Sequence, residues 1–463
     1  MMNYVVRIRS VHHRRFAALL QAAMPAESVA FLLCRRSEGA QRIVYLSDDV
    51  VEVQTHEYLK RSDDIASVSP ECMARVARIA RERNLVVVMM HVHPMTERGV
   101  GFSWADHAGN RRSFRFFHNR IKQSEHLSIV WNRTIDECAC LAYRSDGVTD
   151  VVTSVAVIDT DRWQQCVVAH AEIGNAYDRQ AMLLGEEGQR QLGRFSPIIV
   201  GAGGTGCLVS MGLVHHGVRR YKIVDDQMID DTNLPRIINS RPSDVGRRHK
   251  VDIAREYALS HAPDADIEAL FNHVEHQDVL PHLIAADLIV VCTDNTTSRA
   301  HLNEVSQKYL IPLLDVGVQF AVDKSTGEIV NEVGRINLVR PGTACLWCSG
   351  HLSAARLAAE ATPKQERERE GSYLRGFDDP QPSMLAFNME LVGRALQIVI
   401  GYVTGLLAQP LQAYEQRTFL KSKGGSLIRH VAKQQSAGCF ICGLHGVVGQ
   451  GDAVPATITR RAV

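Results

Sequence analysis

Apolar positions in the middle of the chain fall into short runs separated by a glycine-rich turn and one longer apolar stretch. Residues 197–200 and 221–224 are the short runs, and residues 207–214 form the longer stretch, which ends before Gly217. Short apolar runs are typical of buried strands, and a longer stretch that stops at glycine is typical of a helix. The pattern therefore predicts a strand–helix–strand unit, and residues 288–292 predict a further strand.

The N-terminal region has its own apolar runs. Residues 4–8, 29–34 and 85–90 predict strands, and residues 15–20 predict the start of a helix. Four arginines without an acidic residue lie near the N-terminus, as in a mitochondrial targeting segment. Because those arginines fall within the predicted strand and helix, the pattern favours folded structure instead.

One long apolar stretch, residues 384–407, approaches the length of a membrane span. Glu390 and Arg394 interrupt it, so the pattern predicts a helix in a core or a dimer interface rather than in a bilayer. The formal net charge is +1 and no extended basic stripe is present. The charge therefore gives no reason to expect a nucleic acid or a membrane surface as a partner.

Length and patterning together predict two domains. The chain has 463 residues, more than one hydrophobic core usually holds, and 45% of them are hydrophobic. Residues 151–157 predict a last strand of the N-terminal region, and no glycine- or serine-rich linker follows it. We expect two α/β domains, over residues 1–155 and 165–463.

The turn between the first predicted strand and the helix contains Gly201, Gly203, Gly204 and Gly206. Glycines at this position let backbone N–H groups approach phosphate oxygens at the start of a helix. Asp225 ends the second predicted strand, where a carboxylate can accept hydrogen bonds from ribose hydroxyls. These features fit NAD as well as ATP, and an isolated match to such a glycine motif is common by chance.

Residues farther along the chain favour ATP. Arg236 and Lys250 supply the positive charge that a triphosphate requires, and Asp294, directly after the predicted strand 288–292, can hold magnesium. A hydride-transfer enzyme needs none of these residues. Each of them alone is most often a solvated surface side chain, so the ordered set carries the argument.

This set resembles the ThiF/MoeB/HesA family of adenylating enzymes, which are related to ubiquitin-activating enzymes. The resemblance covers roughly residues 171–445. It implies a Rossmann-like domain with a mostly parallel sheet, and ATP-dependent adenylation of the C-terminal glycine of a ubiquitin-like protein. The matching segments are residues 177–180, 201–206, 223–225, 233–236, 245–250, 292–295, 345–348 and 439–442.

By position in that family, Asp225 binds ribose, and Arg179 matches an arginine that reaches the site from the second subunit of a homodimer. Gln227 stands where relatives usually carry a second aspartate. The resemblance implies catalytic roles for the residues that contact the phosphates or magnesium. The remaining residues of the implied nucleotide site are Asn233, Arg236, Lys250 and Asp294.

Near the N-terminus, His91 and His93 follow an apolar run. Side chains at i and i+2 of a strand point to the same face, so the two imidazoles can share one metal ion. Asp106 can be the third ligand, which leaves one coordination position for water, as in catalytic zinc sites. Glu27 can accept the proton of that water. The alternative, two ordinary polar residues at a strand end, is disfavoured once Glu27, Ser103 and Asp106 are in register.

These residues resemble the JAB/JAMM metalloprotease family over about residues 1–150. The resemblance implies a cytidine-deaminase-like α/β fold and cleavage after the C-terminal glycine of ubiquitin-like proteins. Ser103 matches the residue that stabilises the oxyanion of the tetrahedral intermediate. Val92 replaces the serine or threonine that is usual between the two histidines.

The eleven cysteines include two Cys-x-x-Cys pairs. The pairs predict a structural four-thiolate zinc site, and a redox role is weaker because no thioredoxin-like pattern surrounds either pair. Reduced thiolates favour a cytoplasmic location. Cys72 and Cys166 are undecided. The zinc pairs are Cys345 with Cys348 and Cys439 with Cys442, and the cysteines expected in cores are Cys34, Cys138, Cys140, Cys207 and Cys292.

Residues 361–382 match the crossover loop that, in relatives, covers the acyl-adenylate. Thioester-forming relatives carry a nucleophilic cysteine in this part of the chain, but no cysteine occurs between Ser349 and Gly438. We therefore expect no stable thioester, and expect a partner's thiol to resolve the adenylate. An oxyester is the weaker alternative because unactivated hydroxyls are poor nucleophiles. Its candidates are Thr362, Ser372 and Ser383.

The sequence thus predicts a bifunctional enzyme of a prokaryotic-type ubiquitin-like modifier pathway. A zinc peptidase would mature or remove the modifier, and an adenylyltransferase using ATP, magnesium and a structural zinc would activate its C-terminal glycine. Two alternatives stay open: activation of a sulfur-carrier protein for cofactor or cysteine synthesis, and a scaffold that binds a modifier without cutting it. The expected partners are the modifier or sulfur carrier, a conjugating or sulfur-transfer protein, and a second copy of the chain.

Overall fold

The strand–helix–strand unit predicted around the glycine-rich turn is present in the computed structural model of this protein. The structure describes residues 2–160, 162–167, 174–323, 325–326, 329–362, 382–406, 413–420 and 425–455. The chain divides into two units, Met1–Ala171 with Gly449–Val454, and Glu172–Val448 with Pro455–Val463. The short segment Gly449–Val454 thus belongs to the first unit, although the sequence-based boundary assigns it to the second domain.

The first unit is built on one large sheet. Its strands are β1 (Asn3–Ile8), β2 (Val29–Gly39), β3 (Arg42–Glu52), β4 (Tyr58–Arg61), β5 (Ala66–Val68), β6 (Val86–Val92), β7 (Glu125–Trp131), β8 (Cys138–Arg144), β9 (Thr149–Val151), β10 (Ser154–Val157) and β11 (Gln164–Gln165). Its helices are α1 (Ser10–Gln21), α2 (Pro70–Glu82) and α3 (Trp104–His118). Among the described residues, the strand order is β11-β10-β1-β3-β2-β6-β7-β8-β9, and β4 pairs only with β5.

Strand β2 shows why this sheet has helices on both faces. Leu32 packs in the same core as Phe16 of α1. Phe31 and Leu33, on the opposite face, pack with Val76 of α2 and with residues of α3. A strand that is buried on both faces needs a continuous apolar run, which is what the sequence of β2 provides.

Residues 151–157 form two strands rather than the single predicted one. Strand β9 pairs with β8 at one edge of the sheet, whereas β10 pairs with β1 near the other edge. The sheet curls so strongly that the hydroxyl of Tyr4 on β1 donates a hydrogen bond to Asp150 on β9 at 3.2 Å. The chain can therefore pass from one edge to the other through Val152 and Thr153. The periodicity of apolar residues cannot predict that the two edges of the sheet approach each other.

The second unit contains an eight-stranded sheet within the described residues. Its strands are β12 (Ile198–Val200), β13 (Arg220–Val224), β14 (Asp266–Leu270), β15 (Ile289–Val291), β16 (Leu313–Val322), β17 (Ile329–Val339), β18 (Ala413–Leu420) and β19 (Gly425–Ala432). Its helices are α4 (Asp178–Arg194), α5 (Gly206–His215), α6 (Lys250–His261), α7 (Leu280–Ile284), α8 (Thr296–Lys308), α9 (Ala354–Ala361) and α10 (Leu385–Thr404).

The order of this sheet, β14-β13-β12-β15-β16-β17-β18-β19, confirms the predicted Rossmann-like fold. The pairings from β14 to β16 are parallel, and those from β16 to β19 are antiparallel. The direction of connection reverses at β12, since β13 lies on one side of it and β15 on the other. In open sheets of this kind, ligands bind beyond the carboxyl ends of the strands at that reversal.

No helix in the described ranges is both long and apolar enough to cross a membrane. The stretch predicted from residues 384–407 is α10, in which Leu391, Val392 and Ile398 are buried. This helix contacts α4 and α5 within the second unit.

Gly451 fixes the way in which Gly449–Val454 joins the first unit. It has a φ of 50°, and a Cβ added there would lie 2.8 Å from Ser37 Oγ and 3.1 Å from Leu46 Cδ1. Ser37 and Leu46 are buried residues of β2 and β3. Only glycine therefore fits this close approach without displacing buried atoms.

We expect Gly451→Ala to destabilise the first unit more than the matched variant Gly147→Ala. Both glycines have positive φ, so each alanine incurs backbone strain of about 1–2 kcal/mol. Gly147 has open space around it, whereas Gly451 does not, so the variant at Gly451 should lose about 1–3 kcal/mol more through overpacking. Urea unfolding measures both losses. Equal losses would mean that Gly449–Val454 does not pack on the sheet in solution.

Candidate functional site

The glycine turn of the second unit is held by very close backbone contacts. A Cβ at Gly206 would lie 1.7 Å from the carbonyl oxygen of Gly201. A Cβ at Gly201, whose φ is 95°, would lie 2.9 Å from the carbonyl carbon of Cys292. The turn therefore folds tightly against the end of β15 and brings its backbone to the N-terminus of α5, which is a suitable place for phosphate.

Asp225 ties this turn to the end of β13. One carboxylate oxygen accepts a hydrogen bond from the backbone N–H of Ala202 at 2.7 Å, and the other accepts from the N–H of Gln227 at 2.9 Å. Burial raises the pKa of Asp225, although the Ala202 N–H and the charge of Lys250 oppose that rise. The predicted ribose ligand is thus also a structural link between two strand ends.

Arg236 and Lys250 both lie next to the turn. A Cβ at Gly204 would lie 3.1 Å from Arg236 Cδ, so this glycine leaves room for the arginine stem. Lys250 is buried, and its ammonium donates a hydrogen bond to Gln227 at 2.5 Å. Gln227, which replaces the second aspartate of relatives, therefore orients the lysine as a neutral acceptor.

Asn233 is buried and shapes the turn that carries Arg236. Its side chain accepts a hydrogen bond from the backbone N–H of Asp230 at 3.3 Å, and Asp230 accepts from the N–H of Asn233 at 3.1 Å. The guanidinium of Arg236 donates to the carbonyl oxygen of Thr232 at 2.7 Å. Asn233 thus supports the turn in this structure.

The two remaining predicted residues of the nucleotide site are exposed. Asp294 follows β15 in the loop against which Gly201 packs. Arg179 lies in the first turn of α4 and makes no hydrogen bond or ion pair with any other described residue. The structure therefore joins the glycine turn, Asp225, Arg236 and Lys250 through contacts, but it does not bring Arg179 to them within one chain.

Two residues near this site were missed by the sequence reasoning. Asn388 of α10 is buried, and a Cβ at Gly204 would lie 2.7 Å from its amide nitrogen. Glu360 of α9 accepts hydrogen bonds from the backbone N–H groups of Thr296 and Thr297, each at 2.7 Å. No local signal marks Glu360. Asn388 lies near the start of the apolar stretch 384–407, and a polar residue at that position is a hint in the sequence.

In the first unit, the predicted metal ligands converge. His91 Nε2 lies 3.1 Å from one carboxylate oxygen of Asp106, and His93 Nε2 lies 3.3 Å from the other. The three ligand atoms all lie within 4.8 Å of one another. Hydrogen bonding to Asp106 raises the pKa of His93. Two imidazoles and a carboxylate at these separations fit the donor set of a zinc site with an open position.

Helix α3 and the β4–β5 pair orient the other two predicted residues. Ser103 caps α3, since its hydroxyl oxygen accepts from the N–H of Asp106 at 3.1 Å and its own N–H donates to the Asp106 carboxylate at 2.7 Å. The hydroxyl proton of Ser103 stays available for another acceptor. The carbonyl oxygen of Glu27 accepts from Arg61 at 3.1 Å.

The carboxylate of Glu27 lies 3.8 Å from His93 Nε2. Burial raises the pKa of Glu27, while the neighbouring His91 and His93 partly offset that rise. A raised pKa brings a carboxylate closer to the range in which it can accept and return a proton at neutral pH.

The four cysteines of the two Cys-x-x-Cys pairs form one cluster. Cys345 Sγ lies 3.7 Å from Cys439 Sγ, and Cys348 Sγ lies 3.5 Å from Cys442 Sγ. Hydrogen bonding from Cys442 lowers the pKa of Cys345 to about 5. Four sulfur atoms within 4.8 Å of one another fit a tetrahedral zinc site.

The other cysteines are not reactive thiolates in this structure. Burial raises the pKa of Cys72 to about 11 and that of Cys166 to about 12. Cys292 directly follows β15 beside the glycine turn and is partly buried, and burial raises the pKa of its thiol. Cys34, Cys138, Cys140 and Cys207 are buried, as predicted.

The crossover region lies largely outside the described residues, and so does Ser372. Thr362 ends α9 and donates a hydrogen bond to the carbonyl oxygen of Ala358 at 2.8 Å. Ser383 is exposed and accepts a hydrogen bond from Asn388 at 3.3 Å.

Comparison with known proteins finds two family matches and several relatives. Residues 177–428 match the ThiF family, and residues 9–133 match prokaryotic homologs of the JAB domain. The chain is 34% identical over 142 residues to the adenylyltransferase and sulfurtransferase UBA4 of Meyerozyma guilliermondii, covering 30% of this chain and 33% of that protein. It is 31% identical over 174 residues to the SAMP-activating enzyme E1 of Haloferax volcanii, covering 37% of this chain and 60% of that protein.

The chain thus spans about a third of the first relative and 60% of the second. A solved structure of E. coli MccB with MccA-N7isoASN is similar at a TM-score of 0.47 and 19% identity, over 58% of this chain and 76% of that chain. Because the ThiF match covers more than half of the 463 residues and coincides with the glycine turn, Asp225, Arg236 and Lys250, this chain belongs to the ThiF family and carries an N-terminal JAB domain.

Proposed function

We propose that the second unit adenylates the C-terminal glycine of a ubiquitin-like or sulfur-carrier protein at the expense of ATP. The observation that carries this proposal is the contact network that joins Asp225, Arg236 and Lys250 to the glycine turn at the reversal point of the sheet. This network places two cations and a tight backbone turn beside a helix N-terminus. The proposal extends to the chain what the names of its relatives say of those proteins.

In this reaction a carboxylate oxygen of the terminal glycine attacks the α-phosphorus of ATP. The bond from that phosphorus to the bridging oxygen breaks, and pyrophosphate leaves with the electron pair. Arg236 and Lys250 stabilise the negative charge that builds on the phosphates, and Asp225 orients the ribose. Magnesium held by Asp294 would neutralise further phosphate charge.

Arg179 supports a homodimer in which each site is completed by the other subunit. It lies on the same turn of α4 as Met182 and Leu183, whose side chains are 85% and 71% exposed. Large exposed apolar side chains beside an unpaired cation are suited to a protein interface. The guanidinium could then reach the triphosphate of the second subunit.

The first unit would act as a zinc peptidase on the same modifier. Zinc held by His91, His93 and Asp106 would polarise a water molecule and the scissile carbonyl. Glu27 accepts the proton of that water and returns it to the leaving amine, and the Ser103 hydroxyl donates a hydrogen bond to the developing oxyanion. Zinc held by the four cysteines would have a structural role only.

The proposal has two forms, a sulfur-carrier pathway and a modifier pathway, which differ in the group that accepts the acyl chain from the adenylate. The sulfurtransferase part of the name of the UBA4 relative supports capture of the adenylate by sulfur, and the SAMP-activating relative supports a modifier pathway. In either case we expect the thiol to come from a partner, since Cys72 and Cys166 are buried and burial raises the pKa of Cys292 beside the glycine turn. A scaffold role for the JAB domain is less favoured because Glu27 lies beside the complete ligand set.

The adenylation proposal predicts ATP–pyrophosphate exchange that depends on the modifier protein. Asp294→Ala should slow the exchange by about a hundredfold or more, the loss expected when a charge-stabilising element is removed. Asp264→Ala, which changes an exposed aspartate before β14, is the matched control and should leave the exchange unchanged. Exchange that proceeds without any protein carboxylate would contradict the substrate assignment.

The peptidase proposal predicts close to two zinc ions per chain, measured by mass spectrometry of the metals. His91→Ala should retain one ion, held by the four cysteines. Glu27→Gln should retain both ions but stop cleavage of a modifier fused through its C-terminal glycine, since Glu27 acts on water rather than on zinc. Equal cleavage by the wild type and Glu27→Gln would show that Glu27 has no role in the mechanism. Loss of one zinc ion from Glu27→Gln would show that Glu27 is a metal ligand.

The acceptor proposal predicts that ATP and modifier yield an acyl-adenylate but no reductant-sensitive adduct on the chain. Non-reducing gels with Cys72→Ser and Cys166→Ser as comparison variants provide the measurement. A thiol-sensitive adduct that either variant abolishes would show an acceptor in the first unit. An adduct that resists thiols but is cleaved by hydroxylamine would favour Thr362, Ser372 or Ser383 instead.

A further inference from the structure

The loop that carries Asp294 is held from inside the protein by Arg299 of α8. The guanidinium donates two hydrogen bonds to the carbonyl oxygen of Thr293, from Nη2 at 2.6 Å and from Nε at 3.2 Å. The arginine thus binds the peptide group that directly precedes Asp294. Charge-assisted bonds of this kind are about twice as strong as neutral ones.

Arg299 also forms an ion pair with a buried carboxylate. Its Nη1 lies 3.4 Å from Asp315 of β16, and Asp315 is fully buried. Burial alone would raise the pKa of Asp315, but the neighbouring Arg299, Arg335 and His351 lower it on balance. A buried carboxylate is destabilised when a neighbouring cation moves away, so this ion pair favours the observed position of the guanidinium.

Gly317 of β16 provides the space for this guanidinium. A Cβ added at Gly317 would lie 3.0 Å from Arg299 Nη2 and 3.4 Å from Nη1. The arginine therefore passes directly over the backbone of β16. Even an alanine here would press on the side chain that holds Thr293.

The far end of the loop is tied by different groups. Glu360 accepts hydrogen bonds from the N–H groups of Thr296 and Thr297, and Asn295 caps α8 by accepting from the N–H of Ser298 at 2.7 Å. Asp294 lies between these ties and Arg299, and its exposed carboxylate makes no hydrogen bond or ion pair with the rest of the described chain. The position of that carboxylate thus depends on the backbone on either side of it.

We propose that Arg299, which forms an ion pair with Asp315, is a positioning residue that fixes Asp294 for the divalent cation of the adenylation site. The inference rests on the proposed function, in which Asp294 is the magnesium ligand. Arg299 touches neither ATP nor metal. It acts by limiting the motion of Thr293, so that less conformational freedom is lost when the cation binds.

The test measures cation binding directly, with Mn²⁺ as a paramagnetic probe for the magnesium position. Mn²⁺ is titrated into the full-length chain in the presence of a non-hydrolysable ATP analogue, and free Mn²⁺ is followed by electron paramagnetic resonance. Arg299→Lys keeps the positive charge for Asp315 but loses the forked pair of bonds to Thr293. Its dissociation constant for Mn²⁺ should rise about tenfold, the effect of one lost charge-assisted hydrogen bond.

The matched control is Arg335→Lys, because Arg335 lies 3.4 Å from the other oxygen of the same carboxylate. This control should leave the Mn²⁺ constant unchanged. Pyrophosphate exchange by Arg299→Lys should recover at saturating magnesium, since positioning changes the cation requirement and not the chemical step. An unchanged Mn²⁺ constant in Arg299→Lys, or an equal rise in Arg335→Lys, would overturn the proposal.

If Arg299→Lys does not fold, Gly317→Ala tests whether the position of the Arg299 guanidinium affects cation binding. It keeps every charge and shifts only the guanidinium, so the Mn²⁺ constant should rise in the same direction by a smaller factor. A folded Gly317→Ala with wild-type Mn²⁺ binding would contradict the proposal. Absence of modifier-dependent pyrophosphate exchange in the wild type would instead refute the proposed function, so the two failures are distinguishable.

Discussion

Backbone atoms at the ends of β12 and β15 approach each other so closely that no side chain fits between them. The Cβ of any other residue at Gly206 would lie 1.7 Å from the Gly201 carbonyl oxygen, and one at Gly201 would lie 2.9 Å from Cys292. This contact places the start of α5, the end of β13 and the loop of Asp294 around one point. Asp225 then links the turn to β13 through the Ala202 N–H. The proposed nucleotide site therefore depends on a steric condition that only glycine meets.

Capping interactions have the corresponding role in the first unit. Ser103 and Asp106 satisfy each other's backbone N–H groups at the start of α3, and the same Asp106 faces His91 and His93. The interactions that begin α3 therefore also place the carboxylate of Asp106, a predicted metal ligand. In the second unit, the buried Asp315 cluster similarly joins the interior of the sheet to the Asp294 loop.

Local patterns in the sequence predict much of this arrangement. The apolar runs locate β12, β13 and β15, and the family match supports the predicted fold class. Sequence pattern could not show that residues 151–157 divide between two edges of one sheet, or that Gly449–Val454 returns to the first unit. Glu360, Asn388 and Asp315 were also missed, because their partners lie far away in sequence. Arg299 was missed although its partner Thr293 is only six residues away, because no motif marks that contact. Long-range contacts of this kind follow from closure of the sheet and not from periodicity.

We propose, as the central claim, that a protein carboxylate attacks the α-phosphorus of ATP at the glycine turn. Labelling the C-terminal carboxylate of the modifier with ¹⁸O tests this claim most directly. After reaction and release of the acyl group to a thiol, mass spectrometry should find one ¹⁸O atom in AMP and none in pyrophosphate. Unlabelled AMP, or label in inorganic phosphate or ADP, would contradict the account.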